Sequence, residues 1–173
     1  SITGEAYLGL RLLDWISLRD GAQVLEVGAG AGLLTAFLQA RGVALTALEP
    51  VAQGFDATLA ARAIVAENTE HSPRIAVMEA RQLDAARDGV FDVIFSVNVV
   101  EHFQPLAENL DGMRRVMAPG GLQVHTCPNY RIPYEPHYGV PLLPFFSARA
   151  LHIAKSRRQE GLWRSLNFIT AGE

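Results

Sequence analysis

The sequence has a single cysteine, Cys127, in 173 residues, so no disulfide can form within the chain. That scarcity fits a reducing compartment. It has no apolar run near the ~18 residues that a membrane-spanning helix needs, and no charged-then-apolar leader opens it. A cytoplasmic protein without membrane contact is the expectation. A basic excess is missing as well: 15 Lys and Arg stand against 18 Asp and Glu, a net charge of −3. Recognition of a phosphate backbone needs a basic footprint, so nucleic acid is not an expected partner. The paired-cysteine and H-E-x-x-H spacings of zinc sites are absent. Glu101, His102, Glu135 and His137 carry oxygen and nitrogen donors, but nothing in their spacing makes a metal site of them, and no metal is assigned.

What is present describes a globular protein of about one domain. Hydrophobic residues make up 49% and charged residues 19%. Tyr7, Leu8, Leu12, Trp15 and Ile16 recur at helical spacing and predict an amphipathic opening helix. Short apolar segments then alternate with helical ones. Strands are predicted at 23–27, 43–48, 74–78, 91–97 and 122–126, and helices at 33–41, 57–68 and 106–117. That alternation implies an α/β fold, an open parallel sheet with helices on both faces. Arg149, Lys155, Arg157, Arg158 and Arg164 cluster late in the chain and read as a solvated helix face.

The most informative stretch is Val24-Leu-Glu-Val-Gly-Ala-Gly-Ala-Gly-Leu33. A strand runs into Gly28, Gly30 and Gly32, and a helix follows. Glycines at such a turn allow φ > 0 and bring the backbone against a ligand. The carboxyl end of a strand is where open α/β sheets bind small molecules. A dinucleotide-binding loop reads G-x-G-x-x-G, but the position three after Gly30 is Leu33. Glu49 closes the second strand, 21 residues beyond Gly28, where a carboxylate accepts from both hydroxyls of a ribose. That role serves nucleosides and dinucleotides alike.

Glu26, one residue, then Gly28, Ala29, Gly30 and Gly32 resemble motif I of the class I S-adenosylmethionine-dependent methyltransferases. Three more segments agree in order and spacing. Glu79-Ala80 is similar to the family's Gly-Asp-Ala segment, whose acid accepts from the adenine amino group. Phe91–His102 looks like the fourth motif, which implies that Ser96 and Asn98 face the methionine part of the cofactor. Arg115–Gly121 resembles a structural turn before the fifth strand, in which proline stops the helix. The resemblance spans about Ala22 to Asn129. It implies a Rossmann-like sheet of order 3-2-1-4-5 and S-adenosyl-L-methionine as cofactor. Glu101-His102 resembles the Glu-His pair of the ubiquinone-pathway O-methyltransferases, which implies a catalytic pair with His102 as a base; a histidine packed against the cofactor is the other reading.

The segment from Thr126 to Phe146 holds five of the nine prolines and three of the four tyrosines. Prolines reduce the entropy a loop loses on ordering. Asn129, Tyr130, Tyr134 and His137 are candidates for an acceptor-binding wall, against a strap that merely covers the sheet. Relatives continue into strands 6 and 7, whereas this chain stops near Glu173. The expectation is one domain over residues 1–173, incomplete at its C-terminus, monomeric or homodimeric. Its expected activity is methylation of a small-molecule acceptor, on oxygen before nitrogen or carbon. A non-catalytic domain that binds S-adenosylmethionine or S-adenosylhomocysteine, and an NAD-dependent oxidoreductase, remain as alternatives.

Overall fold

The computed structural model describes residues 2–50, 56–70, 72–132, 134–135, 140–141 and 165–170. Helix α1 (Ile2–Ile16) leads into β1 (Gln23–Val27), α2 (Leu33–Ala40), β2 (Ala44–Leu48), α3 (Asp56–Glu67) and β3 (Ile75–Ala76). A short α4 (Ala85–Asp88) precedes β4 (Phe91–Val97), followed by α5 (Leu106–Arg115) and β5 (Met117–Thr126). These five strands form one sheet of order β3-β2-β1-β4-β5, with every pairing parallel. A separate antiparallel pair joins β6 (Tyr134–Glu135) to β7 (Val140–Pro141). No helix among the described residues is long and apolar enough to cross a membrane.

Strand periodicity sorts the core into two layers. Leu25 and Val27 of β1 join Leu48, Ile94, Met113 and Val116 on one face of the sheet. Val24 joins Leu13, Leu34, Leu38, Leu45 and Phe95 on the other. Successive strand side chains point to opposite faces, so a sheet covered on both sides needs a nearly unbroken apolar strand. The pattern Val24-Leu25-Glu26-Val27, buried throughout, meets that need except at Glu26.

Three elements depart from the sequence expectation. In α1 the buried face is Gly9 and Leu13, while Tyr7, Leu8 and Trp15 are exposed. Gly9 is what lets α1 approach α2, since a Cβ there would lie 2.3 Å from Leu34 Cδ2. The third strand is two residues long, because Met78 N–H turns back to the Ala76 carbonyl at 3.2 Å and ends the pairing with β2. The Pro119-Gly120-Gly121 turn is part of β5. Phe91 pairs with Met117 and Val93 with Leu122, so the extra residues form a bulge rather than a loop before the strand.

Helix α5 fixes the segment after β3 by close backbone contact. Asn109 Oδ1 accepts from Arg81 N–H at 3.1 Å, and Arg115 Nη2 donates to the Arg81 carbonyl at 2.8 Å. Gly112 sits directly under that segment. A Cβ there would lie 2.0 Å from the Ala80 carbonyl oxygen and 2.7 Å from its carbon, so backbone would have to move. Gly112→Ala is therefore expected to destabilise the fold by about 3 kcal/mol despite the better helix propensity of alanine. Urea unfolding measures this, and an unchanged midpoint would refute the contact.

Candidate functional site

The carboxyl ends of β1, β2 and β4 open into a cavity of about 450 Å³. It lies where the chain order reverses, with β2 on one side of β1 and β4 on the other, the usual ligand crevice of open parallel sheets. Gly28, Gly30, Glu49, Glu79, Asn98 and His102 line it. Val27, Met78, Val97, Val99 and Phe103 supply apolar wall.

The loop geometry follows from close packing. Gly28 and Ala29 N–H groups both donate to the Leu48 carbonyl, at 2.8 and 2.9 Å. Gly28 has φ +79, and a Cβ there would lie 2.2 Å from Val99 Cγ2, so only glycine fits. Glu49 Oε2 accepts from Gly30 N–H at 2.9 Å, and Arg62 donates to the Gly30 carbonyl through Nε at 3.2 Å and Nη2 at 3.0 Å. Burial raises the Glu49 carboxyl above its ordinary value, opposed by the Gly30 bond and the nearby Arg62 charge. Asn98 has φ 54 and donates its N–H to the Thr126 carbonyl at 2.7 Å. Asparagine is among the residues that tolerate this left-handed conformation.

The sequence candidates divide sharply. Gly28, Gly30, Glu49, Glu79, Ala80, Asn98 and His102 line the cavity. Glu79 is paired with Arg81, and its N–H is held by Gln82 Oε1 at 2.7 Å. Gly32 instead caps α2. Ala29 and Glu26 border a smaller void of about 40 Å³ behind the loop. Ser96, expected at the cofactor, is fully buried with its hydroxyl 2.7 Å from His125 Nδ1, its partner on β5. Burial pushes His125 down to about 4, so that pair is a neutral tie between strands. Glu101 is fully buried and away from the cavity lining, close enough to Cys127 that its charge helps push that thiol up. Of the expected catalytic pair only His102 reaches the cavity.

Of the expected acceptor wall, the described residues Asn129, Tyr130 and Tyr134 are not among the cavity lining. Tyr130 is buried, with its ring edge-on to Phe168 at 5.1 Å and its N–H on the Ile169 carbonyl at 3.1 Å. Asn129 is exposed and turns its Oδ1 to Arg131 N–H, and Tyr134 is also exposed. His137 and the late basic cluster lie outside the described residues. Glu5, Thr58, Gln104, Asn109 and Ser165 line the cavity without having been singled out. Glu5 precedes every motif and Ser165 follows them all; only Gln104, adjacent to the Glu-His pair, had a local signal.

A family model described as a methyltransferase domain matches residues 6–169. An uncharacterised protein of Mycobacterium tuberculosis is 36% identical over 170 residues, covering 91% of this chain and 57% of that relative. A protein of Caulobacter sp. named ubiquinone biosynthesis O-methyltransferase is 33% identical over 105 residues, 61% of this chain and 40% of that one. The chain thus spans 57% of the first and 40% of the second of these curated relatives, about half their length. Among solved structures, the glycopeptide N-methyltransferase MtfA complexed with S-adenosylmethionine aligns with a TM-score of 0.52 at 19% identity, covering 67% of this chain and 52% of that one. An S-adenosylmethionine-dependent methyltransferase from Mesorhizobium loti aligns at 0.55 and 17% identity, covering 78% and 58%. At such identities these structures speak for the fold.

Glu26 has a separate physical consequence. Its carboxylate is 5% exposed and accepts from Thr35 Oγ at 2.7 Å. Burial, reinforced by the charge of Glu49, pushes it from 4.5 to about 7, against the lowering effect of the Thr35 bond. The folded state then keeps a proton that the unfolded chain releases near 4.5. The stability this group contributes is highest below that pH, falls as pH rises toward about 7, and is level above, a loss of about 3 kcal/mol, while the buried His125 contributes in the opposite sense. Glu26→Gln keeps an acceptor for Thr35 and removes the titration. Denaturant unfolding between pH 4.5 and 8 is expected to show the natural protein losing about 3 kcal/mol relative to the variant, with His125 and Glu49 titrating in both; a difference that does not change with pH would mean the carboxylate is already ionised.

Proposed function

The chain belongs to the methyltransferase-domain family, and we propose that its cavity binds S-adenosylmethionine and that residues 1–173 form a domain that methylates the oxygen of a small acceptor. The observation that carries this reading is the charge of the cavity lining. Glu5, Glu49 and Glu79 line it, with no lysine or arginine among the described lining residues. Carboxylates favour a cationic ligand and repel an anionic one. A sulfonium fits that field, whereas the pyrophosphate of NAD would meet three acids and no cation in the lining, Arg62 and Arg81 already being engaged with Gly30 and Glu79.

The donor set also fits a nucleoside. Glu49 spends one oxygen's bond on Gly30 and has remaining lone pairs for a ribose diol. Glu79 and the Met78 side chain flank the place for an adenine, with the acid as acceptor for its amino group. A volume of about 450 Å³ is within the range of small-molecule sites. The bound cofactor would supply a methyl group on a cationic sulfur, which leaves as a neutral thioether. His102 takes the proton from the acceptor hydroxyl and returns it to solvent, leaving the oxygen to form the new bond. Oxygen is favoured because a neutral imidazole base suits a hydroxyl, and because the Caulobacter relative is named as an O-methyltransferase. On the acceptor side, Phe103, Gln104 and Ser165, which line the cavity, are the residues in contact in this reading.

Titration calorimetry with S-adenosylmethionine and with NAD is the direct test. Binding of the first and not the second is expected, and the reverse would establish an oxidoreductase. Glu49→Ala should weaken S-adenosylmethionine binding by about 2–4 kcal/mol, the scale of two hydrogen bonds to a charged group; unchanged affinity in a folded variant removes Glu49 from the ribose. His102→Ala is expected to lower turnover on hydroxyl acceptors by about 10²–10⁴ with cofactor affinity retained. Tight binding with no turnover across a panel of hydroxyl and amine acceptors would make this a binding domain only.

A further inference from the structure

The turn that carries His102 is held by a segment far away in the chain. Asn167 N–H donates to the Glu101 carbonyl at 2.7 Å, and its side-chain amide donates to Val100 at 2.7 Å and Phe103 at 3.2 Å. Gln104 Nε2 donates to the Ser165 carbonyl at 2.9 Å. The Tyr130–Phe168 contact and the Tyr130 bond to Ile169 anchor the other end of the same segment. On this bracket Ser165 Oγ lies 2.7 Å from His102 Nδ1, across 63 residues of sequence, and both residues line the cavity.

We propose that Ser165 is a positioning residue for His102: its hydroxyl oxygen accepts the Nδ1–H and leaves Nε2 as the site that takes the acceptor's proton. This rests on the methyl-transfer reading above. The two imidazole nitrogens are distinct, and the bond made by one sets the tautomer and direction of the other. A base needs such an orienting partner, because a ring free to rotate or to change tautomer presents the wrong nitrogen for part of the time. Asn167 and Gln104 hold the backbone on which the pair depends. Glu5 from α1, Glu49 after β2 and Glu79 after β3 share the cavity with His102, and Glu101, its neighbour in sequence, is buried near Cys127. All of these stay constant when only Ser165 is changed, so a difference reports the hydroxyl.

The tautomer is read without cofactor, by two-bond proton–nitrogen correlation on protein labelled with ¹⁵N-histidine, with His102 assigned from the His102→Gln spectrum. At a pH where the ring is neutral, His102 is expected as the Nδ1–H form. Ser165→Ala should move it toward the Nε2–H form that free imidazole side chains prefer. Ser165→Thr, which keeps the hydroxyl, should retain the original spectrum. In turnover, Ser165→Ala is expected to lower kcat about 10- to 100-fold, the scale of a misplaced reacting group, with KM within about twofold. An Nε2–H ring in the natural protein overturns the proposal whether or not any variant folds. So does an unchanged tautomer in Ser165→Ala, or a shifted tautomer with kcat retained. Absence of S-adenosylmethionine binding would sink the methyl-transfer reading instead and leave the tautomer measurement as it stands.

Discussion

The Leu48 carbonyl is the point on which the cavity depends. Two consecutive N–H groups, of Gly28 and Ala29, converge on it from the end of β1. This double bond of loop to neighbouring strand folds the glycine turn toward β2 and sets Gly30 within reach of Glu49. It requires a residue at position 28 with φ +79 and no Cβ against Val99. A backbone constraint thus joins three strand ends into one concave surface. The side chains of β2 and β4 inherit their places from it.

Electrostatics then give the surface its character. Four acids gather around the loop, yet they sit in different environments. Glu26 is sealed under it and pushed up to about 7 by burial. Glu49 is partly buried, braced by Gly30 and by the charge of Arg62. Glu5 and Glu79 line the cavity, with Glu79 tied to Arg81. Desolvation favours the neutral form of Glu26 and Glu49 and, equally, a positive charge brought near them. A cationic ligand relieves the repulsion among these acids.

Much of this was legible along the chain. The short, nearly unbroken apolar segments of β1 and β4 announced a parallel sheet because a strand covered on both faces has to be apolar on both. The glycine spacing with Leu33 at the critical position spoke against the dinucleotide loop, and the acid 21 residues beyond Gly28 singled out Glu49, which lines the cavity. These are local signals, set by backbone conformation within a few residues or by a strand length. The bulge of β5 was less visible. Pro119-Gly120-Gly121 reads as a turn in isolation, and only the partner strand decides that the residues continue the ladder.

The sequence by itself determined the fold class, the loop, and the identity of Glu49, because each follows from periodicity or from the stereochemistry of glycine. Tertiary structure alone decided which candidates share a cavity. Ser96 and Asn98 are two residues apart on β4 and its exit, yet one is tied to His125 inside the sheet and the other lines the cleft. Glu101 and His102 are adjacent, and a single turn sends one inward and the other to the site. Tyr130 is spent on Phe168, while Glu5 and Ser165, far apart in the chain, line the same cavity. Such convergence comes from packing between segments tens of residues apart, and side-chain direction at a turn depends on what the turn packs against. Nothing in a local pattern encodes either.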